Sequence, residues 1–218
     1  MTSAKLPDRS SLKASWKILI LISANLARRR YHVVAELLED AGRNRVPAQR
    51  IYEIMLQSYL FLGYPKAIEG LRLLKKQFPE FIPPAPENID SLSVKLWRER
   101  GEALCRTTYD SNYGPLRERM KALSPDLDDW MVWEGYGKVL SRSGVPPVVR
   151  ELCTCSALAV TGDIVQLHSH MRGAINAGAS GRMLRETMAL LDGTARQGRY
   201  RQALKLLDHI LLKADGHA

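Results

Sequence analysis

The sequence predicts an all-α protein built from two tandem copies of one helical unit, and three observations lead there. Apolar residues recur at three- and four-residue spacing in nearly every segment between the Gly and Pro punctuation. Alternation of polar and apolar residues, the signature of a half-buried strand, is weak throughout. Finally, Ala48-Gln49-Arg50-Ile51-Tyr52-Glu53-Ile54-Met55 aligns with Gly181-Arg182-Met183-Leu184-Arg185-Glu186-Thr187-Met188 at an offset of 133 residues, which also superposes Ser23-Ala24 on Ser156-Ala157 and Ala41 on Ala174.

The helical periods fall at about 12–29, 31–43, 47–62, 64–78, 89–107, 113–122, 125–142, 146–161, 163–178, 181–197 and 199–213. In the first, the apolar run Lys17-Ile18-Leu19-Ile20-Leu21-Ile22 has a passing likeness to a secretory signal. It is short, and Arg28-Arg29-Arg30 follows without a cleavage site, so it reads as a buried helix. Ser124-Pro125-Asp126 places a capping hydroxyl before a first-turn proline, and Val46-Pro47 and Val145-Pro146 set first-turn prolines as well. Between Phe78 and Pro86, four of nine residues lack an amide donor and no helix can persist. The chain therefore divides into an N-terminal unit (1–80), a Pro-rich linker with a connecting helix (81–112) and a C-terminal unit (113–218).

A chain of 218 residues with 45% apolar content can bury a large core, which excludes disorder. The formal net charge of +9 gives a surface potential that attracts anions. Nucleic acid is not the expected anion, because aromatic content is only 7%, the arginines are scattered and no zinc-finger or RNP spacing occurs. A small anionic molecule suits the charge equally well and is the expected partner, weighed against a basic surface that serves solubility alone. Three cysteines, Cys105, Cys153 and Cys155, do not make a secreted disulfide framework, and a cytoplasmic location is expected. No run approaches the ~20 apolar residues of a membrane span, so no membrane partner is expected.

The densest motif is Arg150-Glu151-Leu152, followed by Leu158-Ala159, Gly162, Leu167, His170, Arg172-Gly173-Ala174, Asn176 and Gly178-Ala179. It resembles the signature of the carboxymuconolactone decarboxylase family, with about ten positions in order over roughly thirty residues. Tyr113-Gly114-Pro115 and Glu134-Gly135-Tyr136-Gly137-Lys138-Val139 are similar to that family's lead-in helices, and the likeness extends over most of 12–78 and 113–213. Related proteins of the alkyl hydroperoxidase D type use a Glu, a C-x-x-C pair and a His at relative positions zero, twelve, fifteen and nineteen. Counted from Glu151, these fall on Asp163, Gln166 and His170, so both cysteines are missing and a C-x-x-C peroxidase is excluded at those positions. The resemblance thus implies the decarboxylase branch. The 133-residue offset puts Ile18, Arg30, Val33 and Leu37 at the corresponding N-terminal positions, so that copy offers neither acid nor base. Single-unit members of that branch assemble as hexamers, and the resemblance implies a homo-oligomer, a trimer of pseudo-dimers.

On these grounds His170 and Glu151 are the expected catalytic pair, moving a proton on a small carboxylated or lactone substrate in a decarboxylation or related step. Arg150, Arg172, Asp163, Gln166 and Cys155 are the expected substrate-binding residues. His168 falls on the apolar stripe of Ile164, Leu167, Met171 and Ile175 and reads as core. No metal ligand set and no cofactor is expected, since a lyase of this kind needs only to orient a group and supply a proton. Two other readings are weighed beside this one: a thiol-dependent peroxidase working through Cys155 or Cys153, and a non-catalytic helical interaction protein.

Overall fold

The computed structural model describes residues 10–215, and among them every regular element is helical. The expected unit limits, 1–80 and 113–218, run a few residues outside that range at each end. In chain order the α-helices are α1 (Ala14–Ala27), α2 (Tyr31–Arg43), α3 (Ala48–Gln57), the single turn α4 (Tyr59–Leu62), α5 (Tyr64–Gln77), α6 (Ser91–Tyr109), α7 (Tyr113–Leu123), α8 (Pro125–Trp130), α9 (Pro147–Thr161), α10 (Ile164–Asn176), α11 (Gly181–Ala189) and α12 (Gln197–Asp215). No helix occupies 78–90, where the prolines forbid one. Ser124 caps α8 as expected, accepting from the Leu127 amide at 3.3 Å. The first-turn prolines sit one place off: Pro47 and Pro146 are the residues before the first helical turn, and Pro147 occupies that turn.

The helix expected over 125–142 changes character midway. From Met131 to Leu140 its hydrogen bonds take π-type spacing, ending with the Ser141 amide on the Tyr136 carbonyl at 2.8 Å. Two glycines explain how this wide helix packs. A Cβ on Gly137 would lie 1.9 Å from the Trp97 carbonyl oxygen, and one on Gly101 would lie 1.9 Å from the Val132 carbonyl oxygen. The π stretch and α6 therefore cross backbone against backbone, which only glycine permits. Cys105, Tyr113, Val132, Tyr136 and Leu140 make a small core at this crossing.

The main core runs through both halves of the chain, from Leu12 to Leu74 and from Val145 to Ile210. At its centre α1 and α9 pack together. The apolar run in α1 is buried at Ile18, Leu19, Ile20 and Ile22, and α9 is buried without interruption from Val149 to Val160. The Ser156 hydroxyl donates to the Ile20 carbonyl at 3.1 Å, tying the two helices at their contact. The starts of α1, α2, α3 and α5 and those of α9, α10, α11 and α12 are separated by the same 133 residues.

Two carboxylates at that spacing make reciprocal contacts. Glu53, on α3, is buried and accepts from Arg150 Nη2 at 3.0 Å and Arg142 Nε at 2.9 Å, at the start of α9. Glu186, on α11, accepts from the Ser11 and Leu12 amides at 2.8 and 3.2 Å, at the entry to α1. Although desolvation opposes it, the hydrogen bonds from Ser10, Ser11 and Leu12 hold the Glu186 carboxyl at about 2. A depressed carboxyl contributes stability above its unfolded value of 4.5 and loses that contribution as pH falls towards 2. Between those limits the Ser11 and Leu12 amides should lose protection from hydrogen exchange before the α9 amides do. Glu186→Gln should produce the same loss at neutral pH.

Candidate functional site

Gly162, in the left-handed conformation at φ 88°, closes α9 and turns the chain back along it as α10. Antiparallel packing then brings the start of α9 beside the end of α10, and Glu151 meets His170. His170 Nδ1 lies 2.8 Å from Glu151 Oε2, and both side chains are buried. Gly173, one turn beyond His170, makes the approach possible, because a Cβ there would sit 2.7 Å from Thr108 Cγ2 and 3.3 Å from Glu151 Oε2. With Nδ1 committed to a carboxylate, Nε2 is the nitrogen left to exchange a proton. The Phe61 ring from α4 stands edge-on to the imidazole at 5.1 Å and 89°, fixing its other side.

His170 lines an open cavity of about 490 Å³. Most of its wall is apolar, with Phe61, Met120, Leu127, Trp130 and Leu158 among the contributors. Its polar groups are Glu134, Tyr109, Tyr136, Asp163, Gln166 and His170. The Tyr136 hydroxyl donates to that of Tyr109 at 2.8 Å, and burial pushes both phenols above their ordinary range. Glu134 accepts from the Tyr59 hydroxyl at 2.9 Å; burial first and the carboxylate second push that phenol up.

Of the expected site residues, the fold brings together Glu151, His170, Asp163 and Gln166, the last two exposed at the rim. Arg150 lies elsewhere. It is 2% exposed, and its guanidinium is held by Glu53, Gln57 Oε1 at 2.9 Å and the Arg142 carbonyl at 3.0 Å, which leaves it no path to a ligand. Arg172 faces away from the cavity into a small cleft between α7 and α10, shared with Arg119, Ser169 and Asn176. His168 lines that same cleft and is half-buried, so its reading as core is corrected: Leu167 and Met171 take the buried positions and His168 stands at the edge of the stripe.

Cys155 is fully buried, and desolvation lifts its thiol well above the ordinary range; Cys153 is lifted by burial to about 12. Cys105, Cys153 and Cys155 are all free and buried. Iodoacetamide at pH 8 should alkylate the native protein at least ~100-fold more slowly than the urea-unfolded chain, with total thiol counted by mass. Rapid single-site labelling would revive a thiol mechanism.

Phe61, Glu134, Tyr109 and Tyr136 were not among the expected site residues. Glu134 and Tyr136 stand in the Glu134-Gly135-Tyr136-Gly137 stretch, where the two glycines were the available signal of a special packing site. Nothing local marks Phe61, which reaches His170 only through contact between the two halves of the chain.

Peroxisomal protein 2 of Schizosaccharomyces pombe is 29% identical over 154 residues, covering 68% of this chain and 68% of that protein. The model of the carboxymuconolactone decarboxylase family matches residues 125–209, the span that carries Glu134, Glu151, Asp163, Gln166 and His170. Over that span the chain is similar to the carboxymuconolactone decarboxylase family.

Proposed function

We propose that the protein is a carboxymuconolactone decarboxylase-like enzyme that moves a proton on a small lactone or other carbonyl compound. The observation that carries this is the 2.8 Å contact between His170 Nδ1 and Glu151 Oε2 at the wall of a mostly apolar cavity. His170 Nε2 takes a proton from a carbon made acidic by conjugation with the carbonyl. The C–H electron pair passes into the enolate system, and the imidazolium rests against Glu151. Returning the proton to another carbon isomerises the substrate. In the decarboxylation form, loss of carbon dioxide supplies the electron pair and His170 delivers the proton. Both forms use only the imidazole and its carboxylate.

The test is deuterium incorporation from D₂O into the ring methylene of a butenolide, followed by NMR. The expected result is catalysed exchange that falls by about 10²-fold or more in His170→Ala and by a smaller factor in Glu151→Gln. Exchange unaffected by His170→Ala would leave the non-catalytic interaction protein as the better reading. The thiol-dependent alternative draws no support from three buried, unpaired thiols.

The same proposal covers architecture and setting. The common 133-residue spacing of the helix starts supports two tandem units that pack as a pseudo-dimer, the first a degenerate structural partner. Leu127 and Trp130, about half exposed beside the cavity mouth, support self-association into the trimer of pseudo-dimers, which light scattering measures directly. The free thiols support the cytoplasm as location, with the peroxisome the alternative raised by the relative's name. Among the described residues no helix is long and apolar enough to cross a membrane.

A further inference from the structure

The surface carries a formal net charge of +9, yet the charges around the cavity are of the opposite sign. Among the described residues that line it there is no lysine and no arginine, while Glu134 and Asp163 both do. The basic side chains next to Glu151 and His170 in sequence, and Lys66 beyond the rim, are engaged or aimed elsewhere. Arg150 is in a buried ion pair with Glu53, and Arg172 lies in the cleft between α7 and α10. Lys66, which lies close enough to feel the charge of Asp163, donates to the Ala27 carbonyl at 3.1 Å and does not line the cavity.

From this we infer that the cavity selects an uncharged, largely apolar carbonyl ligand, such as an alkyl-substituted lactone, and rejects carboxylated ones. The inference rests on the proton-transfer reading of His170 and Glu151 and narrows its substrate class. A ligand carboxylate entering these walls loses its hydration without gaining a cation, because the one cation that can form there, the His170 imidazolium, is already neutralised by Glu151. Glu134 and Asp163 add repulsion. The wall instead offers Phe61, Met120, Leu127, Trp130, Met131 and Leu158 to an alkyl chain. It offers the Tyr109 hydroxyl, which already accepts from Tyr136, and the Gln166 amide to one carbonyl oxygen. A volume of about 490 Å³ lies in the range (~300–1,000 Å³) that encloses a ligand larger than a bare lactone ring, so the chain has room. The step that follows is proton transfer that isomerises the ligand, since a substrate without a carboxylate has no carbon dioxide to lose.

The experiment is displacement of Nile red, an uncharged dye whose fluorescence reports an apolar site. The competitors are a γ-lactone bearing a six-carbon alkyl chain and the same lactone with its chain ending in a carboxylate. The expected result is displacement by the first at a concentration at least about tenfold lower than by the second. The paired substitution Glu134→Gln with Asp163→Asn should then narrow that gap by improving the carboxylated competitor alone, with Tm recorded to establish that the variant is folded. Equal or tighter binding of the carboxylated lactone overturns the inference. If Arg172→Gln abolishes that binding, the carboxylate resides in the cleft between α7 and α10. Catalysed butenolide exchange that needs His170, found together with a carboxylate preference, sinks the substrate class and leaves proton transfer standing. Failure of both lactones to displace the dye from the parent protein overturns the two together.

Discussion

Glu53→Ala is expected to cost roughly 3–5 kcal/mol of stability, lowering Tm by on the order of 10 °C. Arg150 is 2% exposed and its guanidinium is solvated by protein alone, with Glu53 as its only counter-charge among the described residues. Burial already pulls the Arg150 guanidinium below its ordinary range, and the Glu53 carboxylate is the group that opposes this pull. The Nε atom of Arg150 has no partner even with Glu53 present, so the site has no spare acceptor to take over. Removing the carboxylate strands Arg150 in the core and frees Arg142 as well, at the point where α3 meets the start of α9. The pair Glu53→Leu with Arg150→Met should recover much of the loss, because an apolar substitute removes the stranded charge along with its partner. Urea unfolding followed by circular dichroism measures both. A loss under 1 kcal/mol for Glu53→Ala would mean that water reaches Arg150 in solution.

The matching behaviour of Glu53 and Glu186 was legible in part. Their 133-residue register could be read from Ala48–Met55 against Gly181–Met188, and the helix starts fall on that register at four places. What the alignment could not disclose is what either carboxylate grips, since Arg142, Arg150 and the Ser10–Leu12 segment come from the opposite half of the chain. The same limit explains Arg150. Its place beside Glu151 in a family motif suggested a ligand contact, but a helix buried from Val149 to Val160 turns that side chain into the core. His170 and Glu151 were legible because one turn at Gly162 folds their two helices together, a local event. Phe61 was not, being brought in by the packing of α4 on α9 and α10. The 131–140 stretch shows a further limit. Ten residues are too few for sequence periodicity to separate π from α spacing, so the wider helix emerges only from its fit against α6.

That fit carries the second large effect. Gly137→Ala is expected to destabilise the protein by about 3 kcal/mol or more and to weaken ligand binding together with stability. In an ordinary helix the change would gain up to ~1 kcal/mol, since alanine has the higher helix propensity. Here the added methyl would sit 1.9 Å from the Trp97 carbonyl oxygen and 2.5 Å from its carbon, both backbone atoms that no rotamer can move aside. Relief requires α6 and the π stretch to separate along their crossing. Separation strips packing from Val132, Cys105 and Tyr136, and it shifts Glu134, Gly135 and Tyr136, which form one wall of the cavity. Gly101→Ala meets the Val132 carbonyl oxygen at the same 1.9 Å and should produce the same double loss. Gly114→Ala, on α7 with open space around it, is the control and should leave both measurements unchanged. Thermal unfolding and Nile red titration of the three variants read the outcome. If Gly137→Ala lowered Tm yet bound dye like the parent, the cavity wall would not depend on this crossing. Loss of binding in step with Tm would make the glycine contact, remote from His170, a determinant of the site.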